Sequence, residues 1–424
     1  MTSRERLKAT LNHQQPDRVC LDIGGTMVSG ISASILSKLR KDILKEEDYR
    51  VKIIEPYQML GEVDNTLREA LGIDVIGLFG QKTLFGFENR DWKPFELFDG
   101  TPVLVPGDFN VINRENGDLL IYPEGDTNAP PSGKMPKGGF YFDVIVRQEP
   151  IDDNNLDPGN NLEEFSLLTE EQIQDFADRA KQLATETNYG VAITLPGTGI
   201  GDIALVPAPF LKHPKGIRDV EEWYISTAIR KDYLHKVFSK QTEIAVTNIE
   251  LLSKAVGDNV QVAFVCGTDF GTQRGQFCST DTYRELYRPY YRQINGAIHK
   301  YTNWKTFKHS CGSIFELIPD FIEDGFDILN PVQFSAANMD PRTLKKEFGK
   351  DLVFWGGGVD TQKTLPFGTP KDVYREVREQ IEIFNEGGGF VFNPVHNIQA
   401  NTPLDNLLAM FQAIRDIACE THNT

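Results

Sequence analysis

Three residues in this chain have the types and spacing for metal chemistry. His309 and Cys311 stand at i and i+2 in the stretch His309-Ser310-Cys311-Gly312. In extended backbone, side chains two residues apart point the same way. An imidazole and a thiol on one face are the borderline-soft ligands zinc prefers. His396, in Asn393-Pro394-Val395-His396-Asn397, is the candidate third ligand. Three protein ligands and one open position describe a catalytic rather than a structural zinc site. Asp269, Glu55 and Glu62 are the candidate carboxylates for a fourth place. The competing reading is structural: a neutral histidine at a strand end is commonly just hydrogen-bonded, and a cysteine just buried.

That cluster can form only if the chain brings distant segments together. Eight short apolar runs rich in Val, Ile and Phe read as strands: Val19–Gly24, Asp74–Phe79, Gly190–Leu195, Val260–Cys266, Trp304–His309, Phe326–Asn330, Leu352–Gly356 and Gly389–Val395. They lack strict alternation, as strands covered on both faces do. Helical sequence follows them. Thr169-Glu170-Glu171-Gln172 forms a capping box opening a helix toward Thr185. Asp281–Lys300 reads as one helix, and Pro319 should kink or restart another within 312–324. Met339–Phe348, Pro370–Phe384 and Pro403–Ile417 complete the set. Eight strand–helix units make a (β/α)8 TIM barrel, read as a single domain over 1–424. Residues 95–148 break the rhythm with hairpin signals, including Asn116-Gly117, and read as an inserted antiparallel β region.

Barrel sites lie where the strands end. The ends are polar: Asp22-Ile23-Gly24-Gly25, Asp269 after strand four, Asn330 and Gln333 after strand six, Trp355 to Asp360 around strand seven, and Asn393 after strand eight. Asp22, Gly24, Gly25, Asn330, Trp355 and Asn393 are candidate substrate contacts, and Asp269, Gln333 and Asp360 candidate catalytic groups. The glycine runs 356–358 and 387–389 read as turns rather than phosphate cradles. Tyr283, Tyr287, Tyr290 and Tyr291 lie at helical spacing and read as packing.

Composition narrows the function. The 424 residues carry 44 Lys+Arg against 61 Asp+Glu, a net charge of −17. Such acidity argues against a nucleic-acid or anionic-membrane binder. No apolar run reaches the ~18 residues of a membrane span, and the polar start lacks a signal-peptide core. Five scattered cysteines do not make a disulfide framework, so the expected compartment is the cytoplasm.

In combination, YRELYRPY (Tyr283–Tyr290), HSCG (His309–Gly312), GFDILNP (Gly325–Pro331), WGGGVD (Trp355–Asp360) and the segment Gly387–Met410 resemble the uroporphyrinogen decarboxylase superfamily, as does ERLKATLNHQQPDRV near the start. The resemblance covers most of the chain outside the β insertion and again implies a (β/α)8 barrel. The superfamily holds decarboxylases and zinc-dependent methyltransferases that work with corrinoid proteins. Decarboxylases carry an arginine-rich stretch after strand one. Here no basic residue lies between Arg18 and Lys38, and unpaired buried carboxylates are costly. The methyltransferases carry His-x-Cys after strand five, matched by His309-Ser310-Cys311. Where they have a second cysteine after strand eight, this chain has His396, as the decarboxylases do.

The resemblance therefore implies a zinc-dependent methyltransferase, with Zn2+ on His309, Cys311 and His396. Asp269, Gln333, Asp360 and Asn330 orient the substrate or the ligands. The methylcobamide is carried by a separate corrinoid protein, and a small methyl donor or acceptor is the other substrate. A homodimer is what the decarboxylase branch implies. The alternatives are a decarboxylase acting on a tetrapyrrole or smaller acid, and a non-catalytic corrinoid or tetrapyrrole binder.

Overall fold

The structure is a computed structural model, and it describes residues 1–422. Eight parallel strands form the central sheet: β1 Cys20–Leu21, β2 Val75–Leu78, β3 Gly190–Thr194, β4 Val262–Cys266, β5 Lys305–His309, β6 Ile328–Asn330, β7 Val353–Trp355 and β8 Phe390–Phe392. Their order is β1-β8-β7-β6-β5-β4-β3-β2. The sheet curls until β1 and β2 meet without a regular ladder. The Asp74 N–H donates to Leu21 O (2.8 Å), and the Leu21 N–H donates to an Asp74 carboxylate oxygen (2.9 Å). This is the (β/α)8 barrel that the eight apolar runs required. Each strand lies within its expected run, and each is followed by at least one helix.

Alternation along the strands makes two cores. Cys20, Val75, Ala192, Val262, Phe307, Ile328, Val353, Trp355 and Val391 point inward and fill the barrel. Leu7 and Leu11, from the first helix Ser3–Leu11, join that cluster at the closed end. Most of the other buried apolar side chains form one large second core, between the barrel strands and helices and under the outer strands.

The helices follow local chemistry. Thr169 and Gln172 make the expected capping box at the start of Glu170–Glu186. The stretch expected as one helix from Asp281 is two, Thr280–Leu286 and Arg288–Tyr301. Pro289 sits in the first turn of the second, where a missing N–H costs nothing; inside one continuous helix its ring would clash with the Glu285 carbonyl. Pro319 likewise opens the helix Ile318–Glu323.

Two small four-stranded sheets lie outside the barrel. One joins Val111–Asn113, Leu119–Ile121, Gly133–Met135 and Asp143–Val144. The other joins Lys93–Glu96 and Pro102–Val105 to Val51–Glu55 and Leu60–Gly61. That second sheet recruits strands from before β2, which the hairpin pattern of 95–148 did not indicate.

Candidate metal centre at the barrel mouth

His309 ends β5 and is 4% exposed. Phe307, two residues earlier, points into the barrel, so His309 points the same way at the mouth. Cys311 follows on the loop, half-buried. Its Sγ stands 3.4 Å from His309 Nε2. His396, on the loop after β8, brings its ring to 5.7 Å from that of His309, centroid to centroid, at 72°. One ligand atom from each of the three lies within 4.8 Å of the other two.

A hydrogen-bond chain sets the protonation of His309. Asn330 Nδ2 donates to Trp355 O (2.8 Å), which fixes the amide with its oxygen toward His309. His309 Nδ1 is 2.5 Å from that oxygen and must donate to it. The proton therefore sits on Nδ1, and Nε2 keeps a bare lone pair facing Cys311. Trp355 Nε1 in turn donates to Asp22 Oδ2 (2.9 Å). The Asp22 carbonyl accepts from Asn393 Nδ2 (3.1 Å). Asp22, Asn393, Trp355, Asn330 and His309 thus form one buried polar chain across the barrel.

Burial holds both imidazoles neutral. It lowers the His309 value, and it brings His396 down to about 4 with help from neighbouring His309. The Cys311 thiol is pushed well up by burial and by Asp269. Neutral imidazoles are ready ligands, and a thiol gives up its proton on binding a metal. The donor set of two nitrogens and one sulfur fits zinc. Ligands about 2.1 and 2.3 Å from a tetrahedral ion stand ~3.6 Å apart, close to the 3.4 Å between Nε2 and Sγ.

Asp269 is the carboxylate beside the cluster. Its Oδ1 lies 3.7 Å from His309 Nε2 and accepts the Cys311 N–H (2.6 Å). The other two candidates for a fourth place are engaged elsewhere. Glu55 accepts the Tyr57 and Gln58 N–H groups, and Glu62 pairs with Lys52. Gln333 Oε1 accepts the Gly312 N–H (2.7 Å), tying the β6 loop to the Cys311 loop. Gly312 has φ +86°, and a Cβ there would stand 2.4 Å from the Gly271 carbonyl carbon. Only glycine allows that approach. Asp360 accepts from the Gln362 and Lys363 N–H groups, so it braces its own loop. Gly25 N–H donates to Asp22 Oδ1 (2.7 Å), and Gly24 N–H to Ser29 O (2.7 Å).

A cavity of about 650 Å3 opens where β1 and β2 diverge, lined by Gly24, Met27, Gly77 and Phe79 among others. The four tyrosines are buried, as expected of packing residues. Tyr291 also donates to Thr268 Oγ1 (2.9 Å), bracing the loop that carries Asp269. Sequence reasoning passed over Asp202 and Lys308. Asp202 accepts the Gly267 N–H (3.2 Å), and burial with nearby Asp269 raises its carboxyl to about 6. Lys308 is fully buried behind β5; a lysine within an apolar strand run was its signal.

Comparison with known proteins bears on the fold and the family. The sequence model of the uroporphyrinogen decarboxylase (URO-D) family matches residues 208–417. Over 216 residues the chain is 25% identical to a methylated-thiol–coenzyme M methyltransferase of Methanosarcina mazei, covering 50% of this chain and 53% of that relative. The match thus spans about half the length of the curated relative. A solved structure of a methyltransferase from Methanosarcina mazei superposes with a TM-score of 0.54, covering 98% of this chain and 99% of that chain at 14% identity, a likeness of fold. Residues 208–417, close to half of the chain, thus match the uroporphyrinogen decarboxylase family, and the barrel is a fold shared with the Methanosarcina methyltransferase.

Proposed function

We propose that this protein is a zinc-dependent methyltransferase that exchanges a methyl group between a separate corrinoid protein and a small thiol, ether or related substrate. The observation that carries the reading is the convergence of His309 Nε2, Cys311 Sγ and His396 at the open end of the barrel. Zinc there would supply Lewis acidity, making a bound thiol more acidic or a bound ether oxygen a better leaving group.

The chain's own groups prepare that site. Asn330 keeps the His309 lone pair free. Asp269 holds the Cys311 backbone in place, and Gln333 does the same for Gly312. Asp22, Trp355 and Asn393 make the buried polar chain behind the mouth, Gly24 lines the neighbouring cavity, and with Gly25 they are the groups we assign to placing the small substrate. Asp360 braces its own loop. The corrinoid partner follows from the resemblance to the methyltransferase branch, as does a methylcobamide bound outside this chain.

The decarboxylase reading draws support from His396, which stands where that branch also has histidine. It requires cations for the substrate's carboxylates, and the stretch from residue 19 to residue 37 has none. Incubation with uroporphyrinogen is expected to release no CO2.

The deciding experiment is metal analysis of the purified full-length protein beside a Cys311→Ala variant. The expected result is close to one zinc per chain in the wild type, with metal and methyl transfer both lost in the variant. Zinc far below stoichiometry, or methyl transfer unchanged by the substitution, would refute the proposal.

A further inference from the structure

The residue beside His309 extends the reading of this site. In β5, Phe307 points into the barrel and His309 into its mouth, so Lys308 between them points the other way, toward the helices. Its exposure is 0%. Its Nζ lies 3.2 Å from Cys266 Sγ, 2.6 Å from Thr268 O and 2.9 Å from His309 O. The rings of Phe270, Tyr291 and Phe321 surround it at 4.7, 5.5 and 5.5 Å. No carboxylate is among its direct partners.

A lysine is almost never fully buried without an anion, because desolvating its charge is costly. Here three acceptors match the three donors of an ammonium, and aromatic faces supply the rest of its solvation. The acceptors are not scattered. Thr268 precedes Asp269 on the loop after β4, and His309 is two residues from Cys311. The ammonium therefore fastens the β4 end to the β5 end, directly behind the candidate ligands. The same two loops are joined on their other side. Phe270 N–H donates to Ser310 Oγ (2.9 Å), and Cys311 N–H to Asp269 Oδ1 (2.6 Å).

We propose that Lys308 is a positioning residue for the metal centre: by binding the carbonyls of Thr268 and His309 together, it holds the His309–Cys311 pair at ligand spacing. The proposal rests on the metal reading above. It concerns a residue that touches neither substrate nor metal.

The test is titration of metal-free, full-length protein with Co2+ alone, followed by its visible and thiolate-to-cobalt absorption. Wild type is compared with Lys308→Met, which keeps the length and apolar stem but removes the donors, and with Lys308→Gln, which keeps a shorter donor. Loss of an outer partner of a metal ligand typically weakens affinity about 10- to 100-fold. That loss is expected for Met, with a smaller one for Gln. At saturating Co2+ the charge-transfer band of the Met variant should also shift, which a mere loss of global stability would not produce. Hydrogen exchange should speed up at the Phe270 and Cys311 amides while the closed end of the barrel keeps its protection. Equal affinity and an unchanged band in both variants overturn the proposal. If Lys308→Met does not fold, wild-type affinity and band in Lys308→Gln overturn it. Wild-type protein that binds no Co2+ or Zn2+ overturns the metal reading itself, whereas a wild type that binds and variants that match it overturn this proposal alone.

Discussion

Asp22 is fully buried, yet it ionises. Its carboxylate accepts from Trp355 Nε1 and the Gly25 N–H, and these bonds favour the charged form. Burial outweighs them and lifts its value to about 6, against ~3.9 in an unfolded chain. Between those values the folded state holds a proton that the unfolded chain has lost. The contribution of Asp22 to stability is therefore largest in acid and falls as pH rises through the window. Asp22→Asn removes the swing. Relative to wild type, the variant should gain about 2 kcal/mol of stability between about pH 4.5 and pH 7. Urea denaturation of both proteins at the two pH values measures this, and a difference that ignores pH contradicts it. At this scale the sequence was informative about identity but not about linkage. His309 and Cys311 were legible because two residues of extended backbone set their geometry. The chain from Asp22 through Trp355 and Asn330 to His309 joins four strands, and no spacing along the sequence encodes it. Lys308 was overlooked because lysine ordinarily belongs in water, and only its packing environment shows otherwise.

At the scale of elements, the strands were the most legible feature. A strand covered on both faces is mostly apolar, so each announced itself locally. The partners of a strand are another matter. Val51–Glu55 pairs in parallel with Pro102–Val105 across some fifty residues of chain, and its alternating burial resembles that of any half-covered strand. The barrel's seam shows the same limit. Asp17 and Arg18 are neighbours of opposite charge at the closed end. Asp17 instead binds Arg6 (2.7 Å), and Arg18 binds Asp74 (2.8 Å), whose other oxygen takes Arg6 (2.6 Å). Asp74 is 0% exposed and also accepts the Leu21 N–H. It is thus the clasp where β1 meets β2 without a ladder. Removing it leaves Arg6 with Asp17 alone and Arg18 without its carboxylate. Asp74→Ala should cost about 3–5 kcal/mol, the usual penalty for breaking a buried ion pair from one side. Equilibrium denaturation gives the number. A loss under 1 kcal/mol would mean that the seam is closed by packing alone.

For the whole molecule, the insertion and the barrel share one interior. Val51, Ile53, Phe85, Phe87, Val103, Val105, Phe109, Ile121, Met135 and Phe142 belong to the same continuous apolar cluster as the layer between barrel strands and helices. Phe109 is central to it, packing edge-on against Phe87, Phe95 and Phe142. A region that buries its apolar face against the barrel cannot unfold at low cost by itself, since unfolding would expose the barrel side of the contact as well. We therefore expect the two outer sheets and the barrel to unfold as one cooperative unit, and Phe109→Ala to destabilise both together by about 3–5 kcal/mol. Native-state hydrogen exchange in rising denaturant tests this directly. Amides of the Lys93–Glu96 and Pro102–Val105 ladder should merge with those of β5 and β6 into one opening, and the Phe109→Ala variant should shift that opening as a whole. If the ladder amides exchange through a cheaper opening of their own, and the substitution lowers only that one, the insertion is a separately folding appendage whose packing on the barrel contributes little.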